Sequence, residues 1–108
     1  MEALLVLTNL PDAASARALA EHVIAERLAA CVNILAPCRS VYRWQGKVEA
    51  AEEVPLLIKT GADRYAALEA AIRARHPYEL PEIVAVPISH GLPAYLNWLA
   101  AETTPPTP

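Results

Sequence analysis

Three features of the sequence predict an α+β fold. Short apolar runs read as strands, two stretches of helical periodicity lie between them, and one hairpin is far longer than the other elements. In chain order they give β-α-β-β-α-β and then a short terminal helix, the split βαβ or ferredoxin-like arrangement. At 108 residues the chain holds one such domain, set at residues 1–102. A Pro/Thr-rich tail over residues 103–108 is expected to be disordered.

The first strand is the continuous apolar run over residues 3–8, which suits a central strand. Leu10-Pro11-Asp12 breaks it, with Asp12 placed as an N-cap. Ala16, Leu19, Ala20, Val23, Ile24 and Leu28 then follow helical spacing, so the spacing predicts a helix ending near Arg27. Residues 32–44 and 47–60 read as the two arms of a hairpin turning at Gln45-Gly46. Pairing Trp44 with Lys47 sets Tyr42 opposite Glu49, Ile34 opposite Leu57 and Val32 opposite Lys59. Pro37 and Pro55 cannot donate ladder bonds, so a bulge or kink is expected midway. Thr60-Gly61-Ala62-Asp63 has capping-box spacing before a helix whose stripe is Tyr65, Leu68 and Ile72, and Pro77 ends it. Residues 82–88 form the last strand, and Gly91 and Pro93 open the terminal helix.

Each hairpin arm of about 13 residues would span roughly 43 Å at ~3.3 Å per residue. A domain of this length has a radius of gyration near ~13 Å. The ribbon therefore overhangs its own core and carries Val41, Tyr42, Trp44 and Val48 outward. An edge that long and apolar calls for a partner, so a closed homo-oligomer is expected.

Composition excludes several classes. Nine Lys+Arg against twelve Asp+Glu leave a net charge of −3, and there is no Phe, which argues against a nucleic-acid partner. Twenty-two alanines dilute the 55% hydrophobic content, so the bulky core is small and part of the apolar surplus is assigned to an interface. No stretch approaches the ~20 residues of a membrane span, and no basic start marks a signal peptide. A cytoplasmic protein without a membrane partner is expected. Cys31 and Cys38 are too few for a thiolate metal site and are read as free thiols.

The loop after the first strand, Thr8-Asn9-Leu10-Pro11, lacks a C-x-x-C pair. The three glycines are not clustered into a phosphate cradle, and no serine has a nucleophile context. No enzyme is expected. His76-Pro77-Tyr78-Glu79 remains. It has a structural reading as a helix stop and a functional one, in which His76 and Glu79 face one divalent ion with Cys31 as a soft third ligand. His22 and His90 read as solvated residues. Tyr42, Trp44, Tyr78, Tyr95 and Trp98 read first as interface and core packing.

The blocks 26–34 (ERLAACVNI), 41–49 (VYRWQGKVE), 57–60 (LIKT) and 76–83 (HPYELPEI) resemble the CutA divalent-cation-tolerance family. Gly91 with Tyr95-Leu96-Asn97-Trp98 continues the match over residues 3–100. The resemblance implies a ferredoxin-like trimer similar to the PII signalling proteins, tolerance of copper and other divalent metals, and copper(II) binding with His76 as ligand. Some relatives carry a cysteine where this chain has Thr8, and some a second histidine where it has Arg75. An alternative of another class is a PII-like module that binds a small anion in an inter-subunit cleft through Lys59, Arg43 or Arg75. A third is a stable trimeric scaffold.

Overall fold

A computed structural model describes residues 2–105. The elements are β1 (Ala3–Leu10), α1 (Ala13–Ala25), β2 (Cys31–Ile34), β3 (Cys38–Trp44), β4 (Lys47–Gly61), α2 (Tyr65–Arg75), β5 (Val84–Ile88) and α3 (Pro93–Glu102). A single 3₁₀ turn, Ala62–Arg64, precedes α2. One antiparallel sheet runs β2-β4-β1-β5, and β3 pairs with the far half of β4. This is the expected ferredoxin-like order, with the first hairpin arm divided into β2 and β3.

Strand alternation sorts the sheet into two faces. Val6 and Leu10 of β1 with Val54, Leu56 and Ile58 of β4 turn toward α1 and α2, where they meet Leu19, Val23, Leu68 and Ile72 in one buried cluster. The other face carries Leu5, Leu7 and Leu57, half-buried, and Val84 and Val86, exposed. Helix α3 packs on β1 and β4 and buries Leu99 outside the main cluster.

Asp12 caps α1 as expected, its carboxylate accepting from the Ser15 N–H at 2.7 Å. The helix ends at Ala25, two residues before the expected end, in a Schellman motif. The Leu28 N–H donates to the Val23 carbonyl at 2.9 Å and the Arg27 N–H to that of Ile24 at 3.0 Å. Arg27 takes the left-handed position usually given to glycine, at φ 57°. Its guanidinium donates to the carbonyls of Ala101 and Thr104 at the end of α3, both at 2.8 Å, and these contacts offset the backbone cost. Ile24, assigned to the buried stripe, is 40% exposed, whereas Val23 beside it is fully buried.

The hairpin turns at Gln45 and Gly46, both at positive φ (50° and 79°), as a two-residue primed turn requires. Pairing of Trp44 with Lys47 and of Tyr42 with Glu49 is as expected. Beyond the expected bulge the register moves by one, so Ile34 pairs with Leu56, not Leu57, and Val32 with Ile58, not Lys59. Three residues, 35–37, lie opposite Val54 and Pro55, and the extra one causes the shift. Pairing with β1 begins at Val54, so residues Lys47–Glu53 of β4 project past it, about 23 Å at ~3.3 Å per residue.

The capping box before α2 does not form. Thr60 stays in β4, and its hydroxyl donates to the Leu28 carbonyl at 2.7 Å. β5 begins at Val84, two residues after the expected start, and Pro87 sits in this edge strand, where no ladder donor is needed. Of the tail, Thr103 is buried and bonds back to Leu99, and the Thr104 carbonyl accepts from Arg27. Residues 106–108 lie outside the described residues.

Candidate functional site

The segment after α2 folds back beneath the end of β1, and His76 anchors it. The imidazole is 8% exposed and lies 2.6 Å from the Asn9 carbonyl through Nε2. A carbonyl only accepts, so Nε2 carries the proton. Nδ1 then accepts the Tyr78 N–H at 3.2 Å, and the two rings lie 4.8 Å apart. Both ring nitrogens are committed in this neutral tautomer, and the helix-stop reading of His76 describes its observed role. Metal ligation through Nδ1 requires release of the Tyr78 amide.

A groove of about 780 Å³ opens between this segment and the ribbon. Tyr42, Trp44 and Glu49 line the ribbon side, and Tyr78, Glu79 and Glu82 the opposite side. Asn9 and Glu53 lie at its inner end, where the ribbon leaves the sheet. Glu53 is 8% exposed and takes the Tyr78 phenol as its hydrogen-bond partner. Burial first, and then hydrogen bonding and charge from Glu53, push the Tyr78 phenol up to about 12. The groove thus holds three aromatic rings, the Tyr78 phenol among them, and four carboxylates, with no basic residue in its lining.

The structure does not bring the expected metal trio together. Glu79 lines the groove, and His76 turns inward to β1. Cys31 lies on β2 opposite Lys59, whose ammonium donates to Asn33 Oδ1 at 2.8 Å and stands 3.9 Å from Cys31 Sγ. Four residues of β4 separate the Lys59 register from that of Asn9, about 13 Å of strand. Among the described residues, no three His, Cys, Asp or Glu side chains converge on a point where a metal could sit.

The cations of the anion-binding alternative are also spread out. Lys59 lies on the sheet face, Arg43 points to the Gly46 carbonyl at the ribbon tip (3.5 Å), and Arg75 is exposed at the end of α2. Tyr95 and Trp98 stack at 5.4 Å on the exposed side of α3, away from the groove lining. Sequence reasoning misses Glu53 as a site residue. Its signal is the strand period, which places it on the face of Tyr42 and Glu49, one step before the buried Val54.

Among the described residues no helix is long and apolar enough to cross a membrane. Residues 4–102 match the family model described as CutA1 divalent ion tolerance protein. The divalent-cation tolerance protein CutA of Thermus thermophilus is 46% identical over 98 residues, covering 91% of this chain and 95% of that one. The solved structure of the divalent cation tolerance protein from Thermus thermophilus superposes with a TM-score of 0.93 at 44% identity, over 94% of this chain and 99% of that one. CutA from Xylella fastidiosa also gives 0.93 at 44% identity, over 96% and 100%. With the whole fold and nearly all of the sequence matched, the chain belongs to the CutA divalent-cation tolerance family.

Proposed function

We propose that the protein serves divalent-cation tolerance as a homotrimer, taking copper(II) at the turn that carries His76 and Glu79. Family membership supplies the class of function. The observation that carries assembly is the apolar sheet face of Leu5, Leu7, Leu57, Val84 and Val86, beside a ribbon that leaves Val41, Trp44 and Val48 exposed. Sheet face and ribbon are different surfaces, and their contact repeated head-to-tail closes as a ring of three.

For the metal, imidazole nitrogen and carboxylate oxygen suit copper(II). His76 offers Nδ1 once the Tyr78 amide is released, and Glu79 stands free in the groove. Cys31 is left out of the set because Lys59 and Asn33 hold it elsewhere on the sheet. The reading assigns no catalysed reaction. Free Cys31 and Cys38 support a reducing cytoplasm, and the acidic groove supports a cationic ligand over nucleic acid.

Sedimentation equilibrium and calorimetric titration test both parts. The expected mass is three chains, and Trp44→Ala should dissociate at concentrations where the wild type holds. Copper(II) should bind the wild type more tightly than His76→Ala. Equal affinities remove His76 from the site, and a monomeric wild type ends the trimer reading.

A further inference from the structure

The ribbon joins the sheet through an interrupted ladder. β2 pairs with β4 up to Ile34 with Leu56, and β3 resumes at Cys38 with Glu53. Between them the Leu35 N–H donates to the Pro55 carbonyl at 3.0 Å, and neither Pro37 nor Pro55 has an N–H to give. Beyond this joint β3 and β4 pair only with each other among the described residues, and a two-stranded ribbon has little rigidity of its own. The ladder alone therefore does not fix the angle at which the ribbon leaves the sheet.

A chain of contacts spans that joint. Glu53 is the first ribbon residue outside it, and its buried carboxylate accepts from the Tyr78 phenol. The Tyr78 N–H donates to His76 Nδ1 at 3.2 Å, and the two rings lie 4.8 Å apart. Pro77 between them restricts the backbone. His76 Nε2 donates to the Asn9 carbonyl at 2.6 Å, and Asn9 lies opposite Pro55 on the sheet side of the joint. Asn9 is past the last β5 pair, Leu7 with Val84, so its carbonyl takes this donor in place of a strand amide. Glu53, Tyr78, His76, Asn9 and Pro55 thus close a loop around the joint.

We propose that Tyr78 is a positioning residue for assembly: its hydroxyl on Glu53 and its amide on His76 brace the ribbon at the angle that presents Val41, Trp44 and Val48 to the sheet face of the next copy. The proposal rests on the homotrimer reading and adds to it what holds the docking element ready before docking. An unbraced ribbon samples a range of angles, and association then has to arrest that motion in every copy. The contacts of the brace all lie within one copy.

Sedimentation over a concentration series and amide exchange test it on the full chain. Tyr78→Phe keeps the ring and the amide. It should weaken association by roughly tenfold or more, and raise exchange in residues 38–53 above that of β1 and α1. Tyr65→Phe makes the same change in the Tyr65–Glu69 pair (2.9 Å), at the opposite end of β4 from the ribbon, and should associate like the wild type. Glu53→Ala should match Tyr78→Phe, and the double variant should lose no more than the larger single loss. Glu53→Gln keeps an acceptor oxygen and should recover most of that loss. Unchanged association in Tyr78→Phe, an equal loss in Tyr65→Phe, or ribbon and core exchange rising together overturns the proposal. Additive losses do so as well, since they would assign Tyr78 and Glu53 to separate contacts. If Glu53→Ala fails to fold, Tyr78→Phe against Tyr65→Phe decides alone. A trimeric wild type with Tyr78→Phe unchanged overturns only the brace, whereas a monomeric wild type overturns the trimer reading and the brace's role in assembly together.

Discussion

Two buried threonines should respond in opposite directions to the same substitution. Thr8, on β1, is 1% exposed, and its hydroxyl has no hydrogen-bond partner among the described residues. Thr60, on β4, is fully buried on the same side of the sheet, and its hydroxyl donates to the Leu28 carbonyl at 2.7 Å. An unsatisfied buried hydroxyl costs about 1–3 kcal/mol, and a satisfied one contributes about 1 kcal/mol. Valine matches threonine in shape and suits a strand equally well. Thr8→Val should therefore stabilise the protein by about 1 kcal/mol, a rise in Tm of about 4–8 °C for a domain of this size. Thr60→Val should destabilise it by about 1–2 kcal/mol, because the Leu28 carbonyl loses its donor. Urea or thermal unfolding at one fixed protein concentration measures both, since self-association makes the midpoint concentration-dependent. A destabilised Thr8→Val, or equal shifts for the two variants, would refute the reasoning.

Arg27→Ala should destabilise by about 1–2 kcal/mol through loss of two charge-assisted bonds to α3. Arg27→Gly should be milder by about 1 kcal/mol because it relieves the positive φ, and amide exchange at Thr103 and Thr104 should rise in both. The hydrogen bonds from the Ser15 backbone and hydroxyl lower the Asp12 carboxyl below its ordinary value. Its contribution is thus present above the unfolded carboxylate range and lost as pH falls through the lower folded value. Asp12→Asn should flatten the acid limb of a stability–pH profile. Tyr78, raised to about 12, contributes stability that is complete below pH ~10 and lost as pH rises toward 12. An absorbance titration should show Tyr78 ionising at about 12, and earlier in Glu53→Gln.

The elements legible in the sequence are those whose signals are local. The β1 run, the Asp12 cap, the Gln45-Gly46 turn and the Leu68 and Ile72 stripe each need only a few neighbours to be read. What escapes depends on distant partners. Arg27 ends α1 in a position that glycine usually takes, and its compensation comes from carbonyls more than seventy residues away. Thr60 resembles a cap because Asp63 follows at the right spacing, but a carbonyl beside β2 claims its hydroxyl. At the site, His76 and Glu79 are visible as a motif. That His76 is spent on Asn9 and Tyr78 depends on how the chain returns to β1, which spacing within the motif does not encode.

The bulge at residues 35–37 explains how one hairpin arm serves both the core and the groove. On β4 the odd-numbered positions 49, 53, 57 and 59 share one face of the sheet. Through β3 their partners are even-numbered, Tyr42 opposite Glu49 and Cys38 opposite Glu53. Through β2 they are odd-numbered, Asn33 opposite Leu57 and Cys31 opposite Lys59. Had the register at Trp44 continued unbroken, Asn33 would lie opposite Ile58 and Cys31 opposite Thr60, both on the fully buried face. Val32 would then lose its place beside the core cluster. A one-residue slip inverts every side chain beyond it. The added residue lets β2 keep Val32 toward the helices, while β3 keeps Tyr42 and Trp44 on the face of Glu53. The groove and the core of this chain thus rest on the same backbone irregularity.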